Sequence, residues 1–199
     1  MKRSALDRLA AWVGLALAVV LLVAGALLTV ASSFVNGQVA SQLSAQKITM
    51  PTAAAYGKLA PEDQAALAPY AGQEMTTGAQ AQAFADHYIA AHLKALGGGR
   101  TYEEVSGEYI QLSKDPSADP AKVKELGDLR QTMFMGATLR SMLLTAYAFG
   151  TMGVIAGIAA IAAFAGAVVL LLLSVLGFRH AKVASGDVLV SPADGAKTE

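Results

Sequence analysis

The three histidines, His87, His92 and His180, are the side chains of this sequence that best suit a transition metal. A non-haem iron site of the facial-triad type needs two histidines and one carboxylate directed at one ion. Asp86 offers a carboxylate, but His87 and His92 are five residues apart, which separates them by about 140° around a helix. One helix therefore does not direct both imidazoles at one ion. We predict surface histidines, with no metal and no other cofactor.

The carboxylates of Glu104 and Glu108 lie four residues apart, on one face of a helix, with Glu103 beside them. Such a pair could perform acid–base chemistry or bind a divalent cation weakly. The alternative is a solvated face at a helix start, which we expect here. The run GGGR at 97–100 could bind a phosphate, but it lacks the P-loop pattern. A glycine run after a helix is typical of a helix stop. We therefore predict no catalytic, cofactor-binding or metal-binding residue, and no enzyme.

The elements that carry these residues are bounded by two stretches without any charge, at 9–35 and 141–178. Hydrophobic residues make up 54% of the 199-residue chain, charged residues 15%, and the formal net charge is zero. A helix crosses a bilayer with about 20 apolar residues, so each stretch is long enough.

Zero net charge gives no basic field for nucleic acid. The absence of cysteine excludes disulfides and thiolate metal sites.

The first apolar run has two interpretations. It could be a cleaved signal peptide, because Lys2 and Arg3 precede it and TVA at 29–31 could form a cleavage site. Signal peptides usually have an apolar region of about 7–15 residues, and this run is much longer. We therefore expect a retained transmembrane helix.

The basic residues that flank the two apolar runs set the expected orientation. Lys2, Arg3 and Arg8 precede the first run, and Arg179 and Lys182 follow the second. Because basic flanks stay in the cytoplasm, both termini and His180 are expected there. The predicted segments are a cytoplasmic N-terminus 1–8, transmembrane helix 9–35, extracytoplasmic helical domain 36–140, neck and second transmembrane helix 141–178, and flexible cytoplasmic tail 179–199.

Helix signals divide the segment between the crossings. The region 35–59 has no clear period and is expected to be an extended connector, and a short helix begins at Pro61. Thr77 can cap a helix that ends at the glycines 97–99 and has one shared apolar face: Ala81, Phe84, Tyr88, Ala91 and Ala95. Thr101 and Glu104 form a capping box. Asp119 caps a last helix that begins at Pro120.

This last helix contains no further proline before Pro192, so it is expected to run unbroken to about Phe178. About 58 residues at 1.5 Å each span roughly 87 Å, and the helix therefore extends outside the membrane. Its neck exposes apolar side chains that need cover: Phe134, Leu143, Leu144, Tyr147 and Phe149. We expect that cover from Phe34, Val35, Ile48, Phe84 and Tyr88.

Small residues recur at four-residue spacing in both apolar runs. The second contains Gly153 and Gly157, then Ala162 and Gly166, and the first contains Ala10, Gly14 and Ala18. Such faces allow close helix packing, either with another membrane protein or in a homo-oligomer. The alternative is chance in an alanine-rich sequence.

The segments SAQKITMP at 44–51 and LLTAYAFG at 143–150, with the two apolar runs, resemble a group of small two-span actinobacterial membrane proteins of unknown function. Members are often labelled aromatic ring-opening dioxygenase. The resemblance implies this topology in a bacterial cell membrane. We expect an all-α integral membrane protein with lipid and membrane-protein partners, acting as a non-catalytic accessory, scaffold or interaction subunit. The alternative is an extracytoplasmic ligand sensor.

Overall fold

The computed structural model describes the backbone of residues 3–186 and the side chains of residues 5–183. The regular elements within these residues are helices, two of them long and apolar, which confirms the predicted all-α class. Lys2 and residues 187–199, on which part of the orientation and tail predictions rest, lie outside the described residues. The helices are α1 Arg3–Ala45, α2 Ala53–Tyr56, α3 Pro61–Leu67, a 3₁₀ turn Ala68–Tyr70, α4 Gly78–Ala83, a π-helical segment Phe84–Ile89, α5 Ala90–Leu96, α6 Tyr102–Lys114 and α7 Pro120–Gly186.

The predicted helix starts are confirmed at Thr77, Thr101 and Asp119. Thr77 caps α4 and forms a capping box with Gln80. Thr101 forms the corresponding box with Glu104 at the start of α6. The Asp119 carboxylate accepts a hydrogen bond from the Ala121 amide at 2.9 Å, at the start of α7. These caps satisfy amides that the first turn of a helix leaves without intrahelical partners.

The prediction of an extended connector from residue 35 is wrong for its first part, because α1 continues to Ala45. Val35, Val39 and Leu43 follow one another at helical spacing, and Val39 and Leu43 are buried in the core. Burial of such side chains stabilises by about 1.5–3 kcal/mol each, which outweighs the roughly 1 kcal/mol cost of Gly37 within a helix. The chain leaves the helix at Lys47, whose φ is +53°.

The helix predicted from Thr77 to the glycines at 97–99 contains a π-helical segment in its middle. The additional residue in this turn changes which side chains share a face. Within the π-helical segment Ala85 and Ile89 are buried, and after it Ala95, which was predicted on the shared face, is exposed. The predicted face is therefore wrong beyond the π-helical segment, because an uninterrupted 3.6-residue period was assumed.

The predicted unbroken helix from Pro120 is confirmed, and α7 continues through Gly186. It therefore extends into the segment that was expected to be a flexible tail from residue 179. Within this helix the Thr132 and Thr145 hydroxyls donate to the carbonyls of Asp128 and Ser141, at 2.9 and 3.0 Å. These two hydroxyls are thus satisfied by the helix itself.

The chain divides into two compact units. Unit 1 contains the described residues up to Ser32 and from Ile155, and unit 2 contains residues 33–154. In unit 1, glycines allow close contact between α1 and α7. A side-chain carbon at Gly25 would lie 2.9 Å from the Phe164 ring, and one at Gly14 would lie 2.6 Å from Ser174 Oγ. Trp12 packs edge-on against Phe178, with ring centroids 5.5 Å apart.

Unit 2 has a continuous apolar core that collects side chains from α1, the short helices and α7. The buried members are Val39, Leu43, Met50, Tyr56, Leu67, Met75, Ala81, Ala83, Ala85, Ile89 and Leu143. Backbone hydrogen bonds also join the segment after α1 to residues before α4, with Met50 N donating to Gln73 O at 2.8 Å and Met75 N donating to Ile48 O at 2.9 Å. The segment that connects the two long helices is therefore held by this core and by these hydrogen bonds.

The predicted cover of the neck is confirmed in part. Leu143 is buried, and Leu144, Ile48, Phe84 and Tyr88 pack against the same core. Phe134 and Phe149 remain about half exposed, at 49% and 51%. One side of the neck is therefore covered by unit 2, and another side presents apolar side chains.

Candidate functional site

The π-helical segment Phe84–Ile89 makes polar contacts with two other elements of unit 2. His87 Nδ1 lies 2.9 Å from Asp63 Oδ1 of α3, and Arg140 Nη2 of α7 donates to Asp86 Oδ1 at 2.7 Å. π-Helical turns frequently occur at functional sites. An aspartate–imidazole pair can orient a general base. In this fold the two pairs join α3 and α7 to the π-helical segment.

The residues considered for a metal site do not converge. Asp86 is paired with Arg140, and His87 with Asp63. His92 Nδ1 lies 2.7 Å from the Tyr88 carbonyl oxygen, and its ring packs on the Tyr88 ring. Within the residues that the structure describes, no three histidine or acidic side chains form a group that could hold a metal ion. The absence of a bound metal stays a prediction.

The third histidine, His180, lies in unit 1. Its Nδ1 atom is 3.3 Å from Asp7 Oδ2. This contact joins the beginning of α1 to the last part of α7. The cytoplasmic location predicted for His180 remains a prediction.

The carboxylates of Glu104 and Glu108 have separate partners. Glu104 accepts hydrogen bonds from the Thr101 amide and hydroxyl, at 2.6 and 2.8 Å, and these bonds hold the pKa of its carboxyl below the usual range. Glu108 pairs with Arg100. The capping box and the ion pair thus account for both groups, as a helix start requires.

The run GGGR forms a tight helix end. Gly98 and Gly99 have φ values of +61° and +84°, a region that glycine adopts without a steric cost. The Arg100 side chain donates from Nε to the Gly97 carbonyl at 2.8 Å, so it closes the turn that these glycines form. This is the helix stop predicted from the sequence.

An apolar cleft in unit 2 was not predicted from the sequence. It has a volume of about 320 Å³ and lies between the last part of α1 and the neck of α7, lined by Phe34, Val35, Gln38, Val39, Gln42, Met142, Thr145, Ala146 and Phe149. This volume is at the lower end of the range for ligand sites. The cleft exists because α1 continues beyond residue 35. The four-residue spacing of Val35, Val39 and Leu43 was the signal that could have revealed it.

No protein family, curated protein sequence or solved structure matches this chain. The function must therefore be argued from the geometry of the two units and from their exposed surfaces.

Proposed function

We propose that the chain is an integral membrane protein of a bacterial cell envelope that serves as a non-catalytic accessory or scaffold subunit. In this proposal α1 and α7 cross the cell membrane, both termini are cytoplasmic, and the segment between the crossings is extracytoplasmic. The resemblance to the two-span actinobacterial group belongs to the same proposal.

The observation that carries the proposal is the exposure of apolar side chains along both long helices. The most apolar 18-residue window of α1 has a mean hydropathy of 2.8, and only 11% of that window is buried. The corresponding window of α7 has a mean hydropathy of 2.7, and 17% of it is buried. The core helix of a water-soluble protein is mostly buried, because burial of each Leu or Val side chain stabilises the fold by about 1.5–3 kcal/mol and an exposed side chain loses that stabilisation. Hydrocarbon is a medium in which these faces carry no such cost.

The course of α1 supports a retained anchor over a cleaved signal peptide. The helix continues without interruption through the TVA sequence at 29–31. The Thr29 hydroxyl donates to the Gly25 carbonyl at 2.8 Å within this helix. Further along the same helix, Val39 and Leu43 belong to the core of unit 2.

The contacts of the charged candidates support an accessory role. Asp86, His87 and Arg140 are engaged in pairs between elements, and Glu104 begins a helix. The two ion pairs connect α3 and α7 to the π-helical segment. Apolar side chains such as Met142 and Phe149 remain exposed on unit 2, and exposed apolar patches mark contact surfaces.

The cleft of about 320 Å³ favours one alternative function, an extracytoplasmic ligand sensor. Its apolar lining with Gln38, Gln42 and Thr145 has the composition of a small-molecule site. Under this alternative an amphiphilic ligand raises the thermal unfolding midpoint of the protein. Under the accessory proposal, the thermal unfolding midpoint rises when a protein partner binds.

Alkaline carbonate extraction followed by affinity purification tests the proposal. The protein should stay in the membrane pellet, and it should co-purify with another membrane protein after mild solubilisation. Val23→Arg places a charge within the first apolar run, at a cost of about 2.5–3.5 kcal/mol, and should reduce membrane insertion. Ser41→Arg, on the same helix beyond that run, is the control. Complete release of the unsubstituted protein by carbonate would refute the proposal.

A further inference from the structure

A groove runs between α1 and α7 in unit 1, at the end where the charge-free runs meet their basic flanks. Its volume is about 440 Å³, which lies within the range for ligand sites. The lining includes Asp7, Ala10 and Gly14 from α1 and Leu173, Ser174 and His180 from α7. Its walls are therefore apolar or small, with polar side chains at Asp7, Ser174 and His180.

The hydroxyl of Ser174 has no hydrogen-bond partner within the residues that the structure describes. Ser174 is 3% exposed. Its Oγ atom lies against Gly14, where an added side-chain carbon would be 2.6 Å away. An unpaired hydroxyl is unfavourable in hydrocarbon, because no water replaces the missing bond. Since Ser174 also lines the groove, rotation about its Cα–Cβ bond turns the hydroxyl toward a ligand oxygen there.

The pair of Asp7 and His180 stands at one end of the groove. Both residues directly flank the charge-free runs, so under the proposed topology they lie at the cytoplasmic surface of the bilayer. His180 Nδ1 is 3.3 Å from Asp7 Oδ2, which leaves the Nε2 atom for another partner. Ser174 precedes His180 by six residues and therefore lies roughly 9 Å deeper along α7. The groove thus has polar groups at two depths and apolar walls between them.

The charge at this end of unit 1 is positive. Asp7 is the only carboxylate in the sequence within residues 3–32 and 155–186. The same ranges contain four basic residues of fixed charge: Arg3, Arg8, Arg179 and Lys182. Arg179 is exposed and lies about 60° around α7 from Leu176, which lines the groove. Because Asp7 is already paired with His180, an anion at this end of the groove meets an excess of positive charge.

We propose that this groove binds an anionic glycerophospholipid of the cytoplasmic leaflet. One acyl chain lies along the wall at Leu173, Ser174 donates to an ester oxygen, and the phosphate lies near His180 Nε2 and Arg179. The two polar depths match such a lipid, because its ester oxygens lie deeper in the bilayer than its phosphate. Basic pockets between transmembrane helices on the cytoplasmic side bind anionic headgroups. The inference rests on the proposed function, which places this end of both helices at the cytoplasmic surface.

Lipid titration of the full-length protein in detergent tests the headgroup contact. The probes are phosphatidylglycerol and phosphatidylcholine with identical acyl chains, and the thermal unfolding midpoint at increasing lipid concentration gives the apparent affinity. Phosphatidylglycerol should bind at least about fivefold more tightly, and His180→Gln should weaken its binding by about fivefold, the contribution of one basic residue. Lys182→Gln is the control, because it removes a full charge at the same end but lies about 160° around α7 from His180. Its affinity should stay unchanged.

Ala10→Phe tests the groove itself, because it fills the space without changing any charge. It should abolish the preference for phosphatidylglycerol. Ala16→Phe is the matched control, since Ala16 is also exposed and lies about 160° around α1 from Gly14. This variant should keep the preference.

Equal binding of the two lipids would overturn the site, and so would an unchanged preference in Ala10→Phe. Equal loss of affinity in Lys182→Gln and His180→Gln would also overturn it, because attraction to the basic flank in general would then explain the binding. Carbonate extraction of native membranes separates the two proposals. A protein that stays membrane-integral without a lipid preference refutes the site alone, and a protein released by carbonate refutes the proposed function as well.

Discussion

At Glu104, a carboxylate that could perform acid–base chemistry instead fixes the first turn of α6. The Thr101 backbone N–H and hydroxyl donate to it, and the pKa of the Glu104 carboxyl is lowered mainly by the backbone hydrogen bond. A carboxyl whose pKa is lower in the folded state stabilises the fold above its unfolded pKa. That contribution disappears as the pH falls through the folded pKa.

We therefore expect Glu104→Gln to lower the thermal stability of the solubilised protein at neutral pH. The difference from the unsubstituted protein should vanish at a pH below the folded pKa of Glu104, where the carboxyl is protonated in both states. Thermal unfolding midpoints measured across this range provide the test. Glu103→Gln removes the same charge outside the capping box and serves as the control. A constant difference at all pH values would contradict the assignment.

The separate partners of His87 and His92 lead to a second prediction at the scale of residues. His87 lies against Asp63, and His92 against the Tyr88 carbonyl. We expect the purified protein to contain no stoichiometric transition metal, which elemental analysis measures. Stoichiometric iron or zinc that is lost in both His87→Ala and His92→Ala would contradict this expectation and revive an enzymatic interpretation.

At the scale of elements, α4 packs its first residue directly against the backbone of α7. A side-chain carbon at Gly78 would lie 3.0 Å from Tyr147 Cα and 3.1 Å from the Ala146 carbonyl oxygen. Backbone atoms of a long helix do not move aside easily. The contact needs glycine, and it fixes the start of α4 on the neck.

Two Gly→Ala substitutions should therefore change the free energy of unfolding in opposite directions. Gly78→Ala should destabilise unit 2 by about 1–3 kcal/mol, as an overpacked contact does. Gly107→Ala, on exposed α6 with no atom within 4 Å of the added carbon, should stabilise by up to about 1 kcal/mol. Chemical denaturation of the solubilised protein measures both. Equal effects of the two substitutions would show that the close approach at Gly78 does not limit stability.

The continuity of α7 gives a further prediction at this scale. Thr145→Pro removes a helix hydrogen bond and adds a clash, at a cost of about 3 kcal/mol or more. Because Leu143 and Leu144 nearby pack in the core, unit 2 should become more sensitive to protease in intact cells. Thr145→Ala, which keeps the helix, should leave digestion unchanged. Unchanged digestion of Thr145→Pro would mean that the neck does not depend on a continuous helix.

For the whole molecule, the sequence predicted features that depend on local chemistry. The charge-free runs, the Thr101 and Thr77 caps and the start of α7 at Pro120 follow from hydropathy and capping. The end of α1 and the π-helical segment depend on packing between distant residues, since Val39 meets the core only after folding. The same limit applies to the cleft, which forms between residues 34–42 and 142–149. The pairs of Asp63 with His87 and of Asp86 with Arg140 likewise join residues far apart in sequence.

The central claim is that the two long helices cross a membrane with both termini on the cytoplasmic side. Single cysteines at Ser4, Ser117 and Ser185 test it in intact cells, because the chain contains no other cysteine. Ser117 lies in the exposed turn before α7, whereas the side chains of Ser4 and Ser185 lie outside the described ones. A membrane-impermeant thiol reagent should label residue 117 and should label residues 4 and 185 only after the cells are permeabilised. Labelling of residues 4 and 185 in intact cells, with residue 117 protected, would contradict the proposed topology.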